Sequence, residues 1–386
     1  MSHGPAQRPR RNVDRRPTRS RRVARRRIAG LISALVIVAA GGAALYLGPL
    51  RAHPGRPGTT DPGGQVTGTR ASTVPTSTSP PTTAPAAGIG TAGAFSVDEV
   101  SFTFVDTTRF ADVGGHDVPR SLPTLVRYPA GPTASTSGAA PAPRSGGYPL
   151  VVFAPGYLQC RSAYAPLLQE WASAGYVVAA VQFPLTSCHE PTGPTENDIV
   201  NQPGDVSFVI TQLLAVSSSQ KGPLAHLIDP DRIALAGQSD GGDTVAAVAA
   251  NGCCADPRVK ATVVLAGAEL ASMGGPYFAS PTEPMLFVQG TADTINVPSD
   301  SETLYDQDTT GTRFYLQLDG ATHLTPYEGQ DPPEPTVAAV TLDFFDLYVL
   351  GQTGAASSMQ RQGNVPGVAS LVTGGDPPPA PATPPG

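Results

Sequence analysis

The sequence predicts an α/β domain over residues 93–351: a mostly parallel central sheet with helices on both faces. Three observations predict it. Short apolar runs bounded by turn residues alternate with stretches of helical spacing. Several of those runs, such as 148–154 (YPLVVFA) and 176–183 (YVVAAVQF), are apolar at nearly every position, as strands buried on both faces are. A third run, 232–237 (RIALAG), leads straight into a glycine-flanked serine and then a helix-like segment.

In chain order, 101–105 and 124–128 read as early strands, and 129–147 as a long loop between strands. The buried strand 148–154 is followed by helical spacing over 162–174, with Leu167, Leu168 and Trp171 on one face. After strand 176–183, residues 205–216 place Val206, Val209, Ile210, Leu213 and Leu214 on one helical face. Strand 232–237 precedes a small-residue helix at 240–250. Strands follow at 259–266, 284–289 and 313–318, and a helix at 337–350 closes the domain.

The flanks have another character. Gly and Pro number 42 each, and they concentrate in 51–92, around 130–147 and after 351. Such segments bury too little apolar surface to offset their ordering entropy, so 51–92 reads as a disordered spacer and 352–386 as a disordered tail. Residues 1–27 carry 11 arginines and one acid, and form a basic tail on the cytoplasmic side. The uncharged run 28–50 behind them is long enough to cross a bilayer as an uncleaved anchor, with a cleaved signal peptide as the rival. Either way the domain is expected outside the cytoplasm. Everything after residue 27 holds 14 basic and 30 acidic residues, which excludes nucleic acid as its partner. Four cysteines, Cys160, Cys188, Cys253 and Cys254, suit an oxidising compartment, and their spacing fits no zinc pattern.

The chemistry begins at Gly237-Gln238-Ser239-Asp240-Gly241. A G-x-S-x-G motif between a buried strand and a helix is a nucleophile elbow: the sharp turn lifts the serine oxygen clear of the sheet. Backbone meets backbone there, so Gly237 and Gly241 avoid side-chain clashes. The helix N-terminus supplies an N–H and partial positive charge for a developing oxyanion. The plainer reading, a serine N-cap between glycines, does not explain the preceding strand.

Together with VVFAPGY at 151–157, DPDRIALAGQSDGG at 229–242, PMLFVQGTAD at 284–293 and GATHL at 320–324, this motif resembles the α/β-hydrolase superfamily. The resemblance is to its dienelactone-hydrolase-like, platelet-activating-factor-acetylhydrolase-like and cutinase-like serine esterases. It implies the α/β-hydrolase fold with no large lid, and a triad in the order serine, acid, histidine. His323 is the one histidine after Ser239 and follows strand 313–318. Asp293 stands just past strand 284–289, where it would fix the imidazole tautomer; Glu269 is the reserve. The resemblance assigns the oxyanion-hole donors to the backbone N–H groups of Tyr157 and Asp240. Asp240 departs from the group's usual small or apolar residue, and is expected to point away or to cap the helix. Since strands 148–154 and 176–183 are neighbours in this fold, a Cys160–Cys188 bridge is expected at the rim, with Cys253–Cys254 a vicinal pair or free thiols. Tyr277, Phe278 and Leu158 are candidates to shape the pocket, and each could equally be core packing.

The implied reaction is hydrolysis of short-to-medium acyl esters through an acyl-enzyme, with no metal and no cofactor. The rivals are a cutinase or polyester hydrolase, an acyltransferase, a peptidase and a catalytically silent exported scaffold. Oligomeric state has no signature in the sequence.

Overall fold

The computed structural model describes residues 89–130, 144–329 and 333–374. The basic stretch 1–27, the apolar run 28–50 and all but the last residues of the spacer lie outside the described residues, as do 131–143 of the expected loop and 375–386 of the tail. Among the described residues no helix is long and apolar enough to cross a membrane.

The elements run β1 (Ser96–Val113), β2 (His116–Ala130), β3 (Tyr148–Ala154), α1 (Ala165–Ser173), β4 (Val177–Val181), α2 (Gln202–Ser218), β5 (Ile228–Gln238), α3 (Asp240–Ala250), β6 (Val259–Leu265), β7 (Met285–Gly290), α4 (Pro298–Gln307), β8 (Arg313–Leu318), α5 (Glu334–Tyr348), α6 (Ala355–Gly363) and β9 (Ala369–Thr373). One nine-stranded sheet takes the order β1-β2-β4-β3-β5-β6-β7-β8-β9. The six central strands are parallel, while β1, β2 and β9 join antiparallel at the edges. This is the α/β-hydrolase architecture.

Alternation along each central strand divides the core. Leu150, Val152 and Ala154 face a cluster closed by Val206, Val209 and Ile210 of α2 and Val245 of α3. Val151 and Phe153 face the opposite cluster, with Trp171 of α1 and Phe344 and Phe345 of α5. The early strands are longer than 101–105 and 124–128 suggest. Most of the β1–β2 hairpin is buried on one face only, so its pattern alternates, and only Val126–Ala130 of β2 are buried at every position.

The C-terminal stretch differs from expectation. Within 352–386, expected to be a disordered tail, α6 buries Ala355 and Met359, and β9 pairs antiparallel with β8. The strand ASLVT is only five residues long and sits among glycines and prolines, so its local signal is faint. An open parallel edge at β8 supplies the hydrogen bonds that make it a strand.

A buried ion cluster ties the hairpin to the loop after β4. Arg120 of β2, fully buried, donates to Asp198 at 2.8 and 2.9 Å and to Asp205 of α2 at 2.6 and 2.8 Å. Asp198 lies in the 3₁₀ turn Glu196–Asn201, which this cluster fixes beside α3. Removing one partner would leave buried charge uncompensated, at about 3–5 kcal/mol.

Candidate active site

The C-terminal ends of β3, β5, β7 and β8 lie along one edge of the sheet, where the loops that follow them meet. The elbow stands at the end of β5. Ser239 adopts φ 56° and ψ −125°, a left-handed strain that a non-glycine residue holds only when its surroundings enforce it. Its N–H donates to Leu265 O at 2.9 Å, and its carbonyl accepts the Asp243 N–H at 2.9 Å. A Cβ at Gly237 would overlap the Gly241 carbonyl, and one at Gly241 would overlap the Ala154 carbonyl. The glycines are therefore required by close backbone approach.

The base and the acid come from the loops after β8 and β7. His323 Nε2 lies 2.9 Å from Ser239 Oγ, and His323 Nδ1 lies 2.7 Å from Asp293 Oδ2. Asp293 also accepts the N–H groups of Ile295 at 2.8 Å and Asn296 at 3.1 Å, and the Gln289 Nε2–H at 3.1 Å. The two loops are laced together: Ala292 N–H donates to Ala321 O at 3.0 Å and Gly320 N–H to Thr291 Oγ1 at 2.8 Å. Glu269, the reserve acid, is exposed and accepts from Gln307.

The loop Pro155–Leu158 packs against the elbow. A Cβ on Gly156 would sit 3.1 Å from Ser239 Cβ. Leu158, at φ 62°, turns the chain so that its N–H donates to Thr186 O at 2.8 Å in the loop after β4. Cys160 and Cys188 form a disulfide between those same two loops, and Cys253 and Cys254 form a second, vicinal one. Tyr157 is half-buried, with its hydroxyl donating to Pro194 O at 3.3 Å. The Asp240 N–H belongs to the first turn of α3, where no helix carbonyl is available to it.

Asp240 is not the N-cap of α3, a position held by Ser239: it is 9 % exposed, and its Oδ2 is buried with no hydrogen-bond partner. Burial, and secondarily the charge of Glu196, raise its pKa to about 7. Tyr277 and Phe278 take the packing alternative: Phe278 is buried in the core between the sheet and α2 and α3, and Tyr277 packs against that cluster. Tyr277 bridges Asn251, and Phe278 N–H donates to Ala250 O, both at the far end of the eleven-residue helix α3. That end is roughly 16 Å from the elbow at 1.5 Å per residue.

A set of contacts had no visible sequence signal. Gln238, fully buried, accepts from Tyr164 Oη at 2.8 Å and donates to the His323 carbonyl at 2.9 Å. Tyr164 and Gln238 lie 74 positions apart, and no periodicity links them.

Residues 125–350, more than half of the chain, match a family model described as PETase, PET hydrolase-like. No curated protein matches the chain.

Proposed function

We propose that this chain, which belongs to the PET hydrolase-like family of carboxylic ester hydrolases, cleaves its ester by a two-step acyl transfer on Ser239. The observation that carries the proposal is the continuous contact Ser239 Oγ–His323 Nε2–Nδ1–Asp293 Oδ2, at 2.9 and 2.7 Å. His323 takes the serine proton as the hydroxyl attacks the ester carbonyl. The backbone N–H groups of Tyr157 and Asp240 hold the oxyanion. His323 then returns the proton to the leaving alcohol. Asp293 keeps Nδ1 protonated and stabilises the imidazolium. Water repeats the sequence on the acyl-enzyme.

Short-to-medium acyl esters suit the site. Among the described residues, the connections from β4 to α2 and from β6 to β7 hold only short 3₁₀ turns, and neither inserts a helical lid. A polyester chain is the second reading. Besides the family match, Ile295 and Val297, on the loop that carries Asp293, are exposed apolar residues that an extended apolar polymer would cover. The two disulfides fit action outside the cytoplasm, with 28–50 as the proposed anchor and 51–92 as the spacer.

Ser239→Ala should abolish hydrolysis of p-nitrophenyl butyrate and of polyester film alike. Full retained turnover would overturn the assignment, and a graded panel of acyl lengths and polyester oligomers decides between the two substrate readings.

A further inference from the structure

Four polar groups meet beside the nucleophile, from Gly156, Tyr164, Gln238 at the end of β5 and His323, and their chemistry fixes every hydrogen-bond direction. The His323 carbonyl can only accept, so the group 2.9 Å from it must be the Gln238 amide nitrogen. The Gln238 amide oxygen therefore faces Tyr164, whose hydroxyl must donate its single proton at 2.8 Å. The Tyr164 oxygen is then left to accept the Gly156 N–H at 3.2 Å. Both side chains are fully buried, so water does not compete for these groups.

The chain of bonds runs from Gly156, beside Tyr157, through the residue before Ser239, to the backbone of His323 itself. A Cβ on Gly156 would lie 2.7 Å from Gln238 Oε1, so loop and amide are in direct contact. Tyr164 Oη sits between the oxyanion loop and the elbow, and Gln238 Nε2 is also 3.4 Å from the His323 ring nitrogen that faces Ser239.

We propose that Tyr164 and Gln238 are positioning residues, a buried relay that sets the oxyanion loop and the base loop in register with Ser239. The proposal rests on the acyl-transfer reading above. Neither side chain touches substrate; each acts through groups that do. Simple packing would need only volume at these positions, whereas a relay needs both ends of the amide and the tyrosine oxygen.

The test measures kcat, KM and pH dependence on p-nitrophenyl butyrate for Tyr164→Phe, Gln238→Met, their double variant and Gln238→Glu, with Ser239→Ala alongside. Tyr164→Phe and Gln238→Met should each lower kcat roughly ten- to hundredfold with KM changed less than about threefold, because misplacing a reacting group acts on the transition state. Residues acting as one unit lose it once, so the double variant should be no slower than the worse single one. Gln238→Glu can donate to the His323 carbonyl only while protonated, so its kcat relative to Gln238→Met should rise as pH falls.

The relay is overturned if folded single variants keep kcat within about twofold of the parent, if the losses multiply in the double variant, or if the Glu-to-Met ratio is flat with pH. If Gln238→Met does not fold, Tyr164→Phe, which removes one oxygen, carries the kinetic test. Activity in Ser239→Ala would overturn the underlying acyl-transfer reading. An inactive Ser239→Ala beside unimpaired relay variants would overturn the relay alone.

Discussion

Two buried aspartates stand on either side of the serine–histidine pair, and they are treated in opposite ways. Asp293, in the loop after β7, is 3 % exposed and accepts two backbone N–H groups, an amide N–H and the imidazole. Asp240, at the first turn of α3, is 9 % exposed, and one of its oxygens has no partner. At Asp293, four donors surround the carboxyl and hold it against the imidazole. At Asp240, burial opposes charge, repulsion from Glu196 adds to it, and the carboxyl is largely neutral below about pH 7. Residue type therefore does not decide the role of a buried acid; the donors folded around it do.

The comparison breaks most sharply at Asp293. Asp293→Asn keeps the shape but allows the wrong histidine tautomer, and kcat should fall about ten-thousandfold. Steady-state kinetics checks this, and a loss under tenfold would reduce Asp293 to a structural residue. Next is the support of the anion. Gln289 donates to Asp293, Gly290 O and Asn296 O and accepts from Ser301, so Gln289→Leu strands several buried groups. It should lower kcat roughly tenfold and cost about 1–3 kcal/mol of stability, read by urea unfolding.

Asp240 sharpens the comparison through pH. Its folded pKa is raised from 3.8 to about 7. Between those values the folded state holds a proton that the unfolded state has released, so its contribution to stability declines as pH rises and levels off above about 7. Asp240→Asn removes that slope. Relative to the parent, the variant should gain on the order of a few kcal/mol between pH 4 and pH 8. Unfolding at the two pH values measures the difference, and a parallel pair of curves would mean that Asp240 ionises freely. The smallest effect is at Glu196. Glu196→Gln removes the repulsion but leaves the burial, so the decline in stability should move to lower pH by a fraction of a unit. A shift to higher pH would contradict the repulsion from Glu196.

Much of the fold was legible because its signals are local. The central strands read as solid apolar runs, since a parallel sheet covered on both faces leaves no polar face to interrupt them. The elbow was legible because close backbone approach demands glycine at 237 and 241. Ser239, Asp293 and His323 could be singled out because each follows a strand end in the order the resembled family uses. The environment of Asp240 was not legible: whether a carboxyl meets solvent, donors or Glu196 depends on a turn pinned by Arg120, more than a hundred positions earlier. Tyr277 and Phe278 were aromatic and plausibly placed, but nothing in the sequence marks which end of α3 they reach.

The sequence by itself determined the alternation of strand and helix, the strained turn at Ser239 and the chemical types available at each strand end, because periodicity and backbone sterics act over a few residues. Tertiary structure decided which groups meet. The β9 pairing, the burial of Asp240 and the path from Gly156 through Tyr164 and Gln238 to His323 exist only once distant segments share one sheet edge. Hydrogen-bond partners and local dielectric belong to that arrangement and to no stretch of chain.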